Sequence, residues 1–183
     1  MESLNIKILK ATSNLEEVRE VQNVIYKTWL ATYPNKKLGI TKKDINDRFK
    51  SKLTEEALIK KTKNISNYQT GKIVLVAKDR NKVIGICSTT KYPEFNQLEA
   101  IYILPKYQNR GIGNSFWEKA QKYINLNKNT IVHMSTYNEQ AKKFYRSLGF
   151  KDTGKQWKNK RFAMKSGAII PETEMILKGK GKG

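Results

Sequence analysis

A chain of 183 residues fits one domain, large enough to bury about 70% of the surface its unfolded form exposes. Thirty-six lysines and arginines against sixteen acids give a formal charge of +20, a balance that favours anionic partners: nucleic acid, a membrane surface or a polyphosphate cofactor. The single cysteine, Cys87, excludes an internal disulfide, and no apolar run reaches membrane length.

The basic residues are spread along the chain rather than gathered in one arm. A solvated cationic surface therefore accounts for them better than a dedicated nucleic-acid site. The opening stretch MESLNIKILK lacks the apolar segment of a signal peptide, so a cytosolic protein is expected. Cys87 lies in the strand-like run VIGICSTT and reads as a small core side chain.

In chain order, Ile6–Ala11 reads as a first strand. A helix from Leu15 to about Tyr33 follows, with Leu15, Val18, Val21, Ile25, Trp29 and Leu30 on one side and Asn14 as its cap. Pro34 and Gly39 mark a loop. Thr41 and Asp44 then resemble a capping box opening a helical region to about Lys61. Lys72–Asp79 and Lys82–Thr90 form a hairpin.

Next comes Leu98–Leu104, where Leu98, Ala100 and Tyr102 alternate with Glu99, Ile101 and Ile103 until Pro105 ends the strand. The polar turn Gln108–Gly113 leads into a helix marked by Gly113, Phe116, Trp117, Ala120, Tyr123 and Ile124. Thr130–Thr136 is a strand, and Asn138–Leu148 a helix stopped by Gly149. Phe150–Thr153 and Glu174–Leu177 are closing strands around an irregular basic segment, Lys155–Lys165, and the Lys178–Gly183 tail is expected to be disordered. The class is α+β with a mixed sheet.

The strand–turn–helix at 98–123 carries the main functional signal. A glycine-punctuated turn into a helix presents unpaired N–H groups at the positive end of the helix dipole, which suits an anion. Gly111 and Gly113 leave room for a phosphate and Arg110 adds a charge. Phe116 stands where a dinucleotide fingerprint needs its third glycine, and no phosphate-loop motif of nucleotide triphosphatases occurs.

Gln108-Asn109-Arg110-Gly111-Ile112-Gly113 matches the [RQ]-x-x-G-x-[GA] motif of the GCN5-related N-acetyltransferases (GNAT), and Asn138-x-x-Ala141-x-x-Phe144-Tyr145-x-x-x-Gly149-Phe150 matches that family's second block. The chain resembles this family from Ile6 to Leu177. Within it, Glu99-x-Ile101-Tyr102-Ile103 and the stretch from Phe144 to Gly154 look like PaiA-type polyamine acetyltransferases, which act on spermidine or spermine.

The resemblance implies one N-acetyltransferase domain over residues 1–183 with the GNAT fold. That fold is a mixed, mostly antiparallel sheet flanked by about four helices and splayed between the strands at 98–104 and 130–136. It implies acetyl-coenzyme A as co-substrate and no metal. Coenzyme A would lie along Ile101, Ile103 and Leu104, with its diphosphate over Gln108, Asn109, Arg110, Gly111, Ile112, Gly113, Asn114 and Ser115. Asn138 and Tyr145 would complete its site.

For the chemistry, an alkylammonium with a pKa near 10.4 costs about 4–5 kcal/mol to neutralise at pH 7, so a proton acceptor is needed. Glu99 is a candidate base, directly or through a water. Tyr145 takes the family's general-acid place, as a phenol that stays protonated at neutral pH. The N–H of Ile103 or Leu104 is a candidate for polarising the thioester carbonyl. His133, the only histidine, reads as a packed strand residue. Tyr26, Trp29, Tyr33 and the 34–40 loop are candidate acceptor walls. Glu94, Glu99, Glu139 and the Glu16–Glu20 cluster are candidate acids for holding a polyamine against the global charge. The expected partners are a small amine and coenzyme A, with no membrane, in a monomer or homodimer. The alternatives are an acetyltransferase of protein N-termini, lysines or another small amine, and a basic nucleic-acid- or ribosome-binding module on the same fold, which the charge does not exclude.

Overall fold

The computed structural model describes residues 5–181. Strand β1 (Ile6–Lys10) leads into helix α1 (Leu15–Thr32), whose first turn is capped where Asn14 Oδ1 accepts the Glu17 N–H at 3.1 Å. The helical region read from Thr41 to Lys61 is two helices, α2 (Lys42–Lys50) and α3 (Glu55–Thr62). The expected capping box opens α2: Thr41 Oγ1 accepts the Asp44 N–H at 3.1 Å and Asp44 Oδ2 accepts the Thr41 N–H at 2.8 Å. The break at 51–54 comes from a second cap, Thr54, whose hydroxyl accepts the Ala57 N–H at 3.3 Å.

Six more strands and a helix pair follow. They are β2 (Lys72–Asp79), β3 (Lys82–Lys91), β4 (Asn96–Ile103), helix α4 (Ile112–Ala120), β5 (Thr130–Ser135), helix α5 (Glu139–Ser147), β6 (Lys151–Ala163) and β7 (Ile169–Leu177). Gly149, at φ 91°, ends α5 as expected, with its N–H on the Arg146 carbonyl at 2.9 Å.

The seven strands form one sheet in the order β1-β2-β3-β4-β5-β7-β6. Every neighbouring pair is antiparallel except β4–β5. Mixed, mostly antiparallel and flanked by five helices, the sheet has the α+β architecture that the resemblance implies, with one helix more than expected. The basic stretch Lys155–Lys165, read as irregular, is mostly the edge strand β6, which pairs with β7 through two register shifts. Lysines suppress the apolar alternation that announces a strand, and they are suited to an unpaired edge.

Hydrophobic packing divides by face. Phe116 and Trp117 of α4 and Tyr145 of α5 cover one side of the sheet against Leu75, Cys87, Leu98 and Val132. On the other side, Val21 and Val24 of α1 meet Val74, Val76 and Ile86. A third cluster, Trp29, Tyr33, Ile45, Phe49, Met164 and Ile170, ties the end of α1 to α2 and to the β6–β7 hairpin. Past β7 the chain is not free to residue 181: the Lys180 N–H donates to the Leu126 carbonyl at 2.8 Å. Of the tail expected to be disordered, Lys182 and Gly183 lie outside the described residues, as do residues 1–4 of the N-terminal stretch.

Candidate active site

The site begins with a defect in β4. Ser88 pairs with Ala100 but Thr89 pairs with Leu98, so Glu99 is an extra residue, a β-bulge. The bulge resets the alternation. Leu98 packs with Ile101 and Ile103 towards α4, while Ala100 and Tyr102 pack towards α1. The simple alternation that grouped Leu98 with Ala100 and Tyr102, and Glu99 with Ile101 and Ile103, is therefore corrected. Past the bulge β4 also parts from β5: the two strands share only Asn96↔Thr130, Gln97↔Ile131 and Leu98↔Val132. The expected splay is present.

A cavity of about 680 Å³ occupies the split. Which backbone groups face it follows from antiparallel geometry. The Leu104 N–H donates to the Ile84 carbonyl at 2.9 Å, so alternate residues of β4 bond to β3 and the N–H groups of Ile101 and Ile103 point to the opposite edge, into the split. That withdraws Leu104 as an amide for polarising a carbonyl and leaves Ile103. The Leu104 side chain packs into the core rather than lining the cavity.

At one mouth of the split lies the turn. Asn109 (φ 59°) and Gly111 (φ 77°) both adopt left-handed backbone there. Gly111 precedes α4 without any side-chain cap, and the first helical bond is made by the Ser115 N–H to the Gly111 carbonyl at 3.1 Å. The N–H groups of Ile112, Gly113 and Asn114 thus have no acceptor in the helix and meet the cavity at its dipole's positive end. The two glycines differ in purpose. At Gly111 an added Cβ would meet nothing within 4 Å, and the requirement is conformational; at Gly113 it would lie 2.9 Å from two ring atoms of Phe144. Gly113 lets α4 close on α5.

Gln108 steadies the turn, with its side-chain amide donating to the Ile103 carbonyl at 2.9 Å and accepting from Gln140 Nε2 at 3.1 Å. Arg110 is exposed beside the turn, and neither it nor Ser115 lines the cavity. Ser115's amide is already bonded, so the set of free amides ends at Asn114, one residue short of the expectation.

On the far wall, Asn138 caps α5 by accepting the Ala141 N–H at 3.1 Å. Tyr145, 5% exposed, has ring neighbours Phe144 at 5.3 Å and Phe150 at 5.7 Å and lines the cavity. Burial pushes its phenol well above the ordinary value, and Tyr102 and Cys87 add to the shift, so the O–H remains a donor throughout the neutral range.

The other mouth is built by residues distant in sequence. Thr28 and Thr32 of α1, Tyr33 just after it, Glu99 and Tyr102 of β4, and His133 of β5 line it. The Thr90 hydroxyl donates to Glu99 Oε1 at 3.0 Å. Burial raises the Tyr102 phenol, against hydrogen bonding from Tyr33 and Trp29, and the Glu172 carboxylate adds to the rise. His133 Nε2 lies 3.4 Å from Glu174 Oε2 on β7.

Several expected acceptor residues are elsewhere. The Tyr26 hydroxyl donates to Asn46 Oδ1 at 2.8 Å, and Trp29 packs between Tyr33, Phe49 and Phe162. The 34–40 loop closes on itself through Asn35 and Ile40. Neither it nor those two aromatics lines the cavity; of the expected walls, Tyr33 does. The acids disperse too. Glu16 pairs with Arg19, Glu17 with Lys78, Glu20 accepts the Val83 N–H, and Glu94 and Glu139 are exposed and do not line the cavity. Only Glu99 of that set reaches it. Missed were Thr28, Thr32, Tyr102 and His133 in the wall, with Glu172 and Glu174 behind. Alternation in TIVHMST does set His133 against the Val132 and Met134 face, but nothing local says that its side borders a cavity.

Among the described residues no group of three or more His, Cys, Asp or Glu could hold a metal ion, and no helix is long and apolar enough to cross a membrane.

Residues 70–152, from the start of β2 into β6, match the family profile described as acetyltransferase (GNAT) domain. Over those residues the chain is similar to GNAT acetyltransferase domains. Solved structures extend the GNAT likeness beyond the matched segment. The PaiA N-acetyltransferase of Thermoplasma acidophilum, solved in complex with coenzyme A, aligns over 92% of this chain and 98% of its own at 19% identity, with a TM-score of 0.67. A GNAT-family acetyltransferase from Streptococcus pneumoniae aligns over 94% and 98% at 19% identity, TM-score 0.65. The ribosomal-protein-S18-alanine N-acetyltransferase of Escherichia coli aligns over 97% and 96% at 16% identity, TM-score 0.58. At such identities the likeness is one of fold. No curated protein sequence matches significantly.

Proposed function

We propose that this protein transfers the acetyl group of acetyl-coenzyme A to a primary amine, with a small polyamine such as spermidine as the acceptor. The observation that carries the proposal is the continuity of one cavity, from three unpaired amides at the start of α4 to the buried phenol of Tyr145. The residues suit the donor: Ile112, Gly113 and Asn114 offer N–H groups to a diphosphate, Arg110 adds charge beside them, and the edge groups of Ile101 and Ile103 can pair with an extended amide chain.

Acetyl-coenzyme A supplies, when bound, a thioester whose acetyl carbon an amine can attack. The Ile103 N–H points into the split where it can donate to the developing oxyanion. The Tyr145 O–H is held undissociated by burial and can protonate the departing sulfur. Asn138 fixes the start of the helix that carries Tyr145.

A net charge of +20 opposes a polycation at long range, but screening over about 8 Å at physiological salt leaves nearby groups in control. At the acceptor mouth those groups are Glu99 in the wall and Glu172 acting on Tyr102. The +20 charge favours a second acceptor, the α-amine of an acidic polypeptide N-terminus. A thiol-release assay with acetyl-coenzyme A and separate arms of spermidine, spermine, an acidic peptide and a neutral peptide tests both. Faster release with the polyamines is expected; release with peptides alone would replace the acceptor, and none with any arm would refute the function.

A further inference from the structure

The proton of the incoming ammonium needs a destination, and Glu99 already accepts a hydrogen bond from Thr90. We infer that His133, oriented by Glu174, is the group that takes this proton, which makes the only histidine of the chain part of the acetyl-transfer site. The inference rests on the function proposed above and assigns it a residue.

The placement is built by three strands. Val132 and Met134 point into the core beneath α4 and α5, so His133 between them faces the α1 side, where it lines the cavity with its side chain 33% exposed. Directly across the β5–β7 pairing stands Glu174, with Oε2 3.4 Å from His133 Nε2. On β6, the Trp157 ring meets the imidazole edge-on, 4.8 Å between centroids at 82°, and Lys155 Nζ lies 3.1 Å from Glu174 Oε1. The ring is therefore held by an aromatic wall and a carboxylate. A histidine placed only for packing would not also border the reaction cavity.

A carboxylate at Nε2 favours the tautomer with its proton there and leaves the Nδ1 lone pair free to accept. Burial alone would raise Glu174, but Lys155 and His133 together hold it below the ordinary carboxylate value, so it is a charge when an imidazolium forms beside it. The other titratable groups facing the cavity are Glu99, Tyr102, Tyr107, Tyr33, Tyr145 and Lys143. Of the side chains there, an imidazole is the type whose unperturbed titration falls between pH 5 and 8.

The protons balance as follows. The ammonium gives one proton to His133, which passes it to bulk water. As the C–N bond forms and the C–S bond breaks, the nitrogen loses a second proton and the sulfur gains one from the Tyr145 hydroxyl, which is then reprotonated from the nitrogen. The sum is one amide, one free thiol and one released proton.

The test is the pH profile of kcat/KM for whichever of spermidine, spermine and the two peptides the wild type acetylates fastest. Wild type should show an acid limb leading to a plateau. His133→Gln should lose about 100-fold at pH 7, and its rate should rise about tenfold per pH unit across the former plateau, following the neutral amine alone. Glu174→Gln should lower the plateau of kcat/KM several-fold while leaving coenzyme A affinity unchanged, because the ring loses the carboxylate that orients it. A single histidine also allows the wild-type imidazole resonance to be titrated by NMR without assignment, and its midpoint should coincide with the acid limb, whether or not either variant folds.

An unchanged limb in a folded His133→Gln protein, or an NMR midpoint away from the limb, would overturn the role of His133 and leave the acetyltransferase standing. Absence of turnover with every amine would remove the function itself, and the inference with it.

Discussion

The two mouths of the cavity are made in opposite ways. At the α4 mouth the groups on offer are backbone amides, supplied within six residues, Asn109–Asn114, by two left-handed turn positions and an uncapped helix start. At the other mouth they are side chains from α1, β4 and β5, with β7 behind, and they meet only because β4 bulges at Glu99 and leaves β5. A mouth made of backbone is insensitive to most substitutions and suits a constant ligand. A mouth made of scattered side chains can change its specificity one residue at a time.

Four substitutions press on that contrast. The largest effect is expected where the mouths meet, at Tyr145. Tyr145→Phe should lower kcat about 100-fold with the affinity for coenzyme A nearly unchanged, by thiol release and calorimetry; full turnover would remove the phenol from the chemistry. Next comes the backbone mouth. Gly113→Ala puts a Cβ 2.9 Å from the Phe144 ring. It should cost about 1–3 kcal/mol in urea unfolding and weaken coenzyme A binding, while the acceptor preference stays the same. A changed acceptor order would mean the mouths are not separable.

At the side-chain mouth, Glu99→Gln should raise the amine KM several-fold and leave coenzyme A affinity alone, because it removes a charge the donor does not meet. The smallest effect lies outside both. Hydrogen bonds from Thr41 and then Ser166 hold the Asp44 carboxyl down to about 2, below the ordinary carboxylate value. A depressed folded value gives stability that is present above the unfolded value near pH 4 and lost as pH falls towards 2. Asp44→Asn should therefore cost about 1 kcal/mol at pH 7, fade to no difference near pH 2, and leave both mouths working.

The contrast also explains what could be read from the chain. The turn was legible because its signals are local: Pro105 ends a strand, Gly111 takes φ 77°, and an apolar stripe begins at Ile112. Tyr145 was legible through its motif. Leu104 was misjudged because strand edges cannot be assigned until the β3 register is known, and the alternation around Glu99 because one extra residue reverses it. The acids at Glu16–Glu20 were near in sequence to nothing they serve; α1 turns them to Arg19, Lys78 and the start of β3. His133 and Glu174 are 41 residues apart and meet only across the β5–β7 pairing.

The most direct measurement follows the amides of α4 by heteronuclear NMR as coenzyme A is added. Saturable, selective shifts of the Ile112, Gly113 and Asn114 amide signals, surviving moderate salt, are the predicted result. Shifts spread over surface lysines and abolished by salt, with those three signals unmoved, would contradict the account.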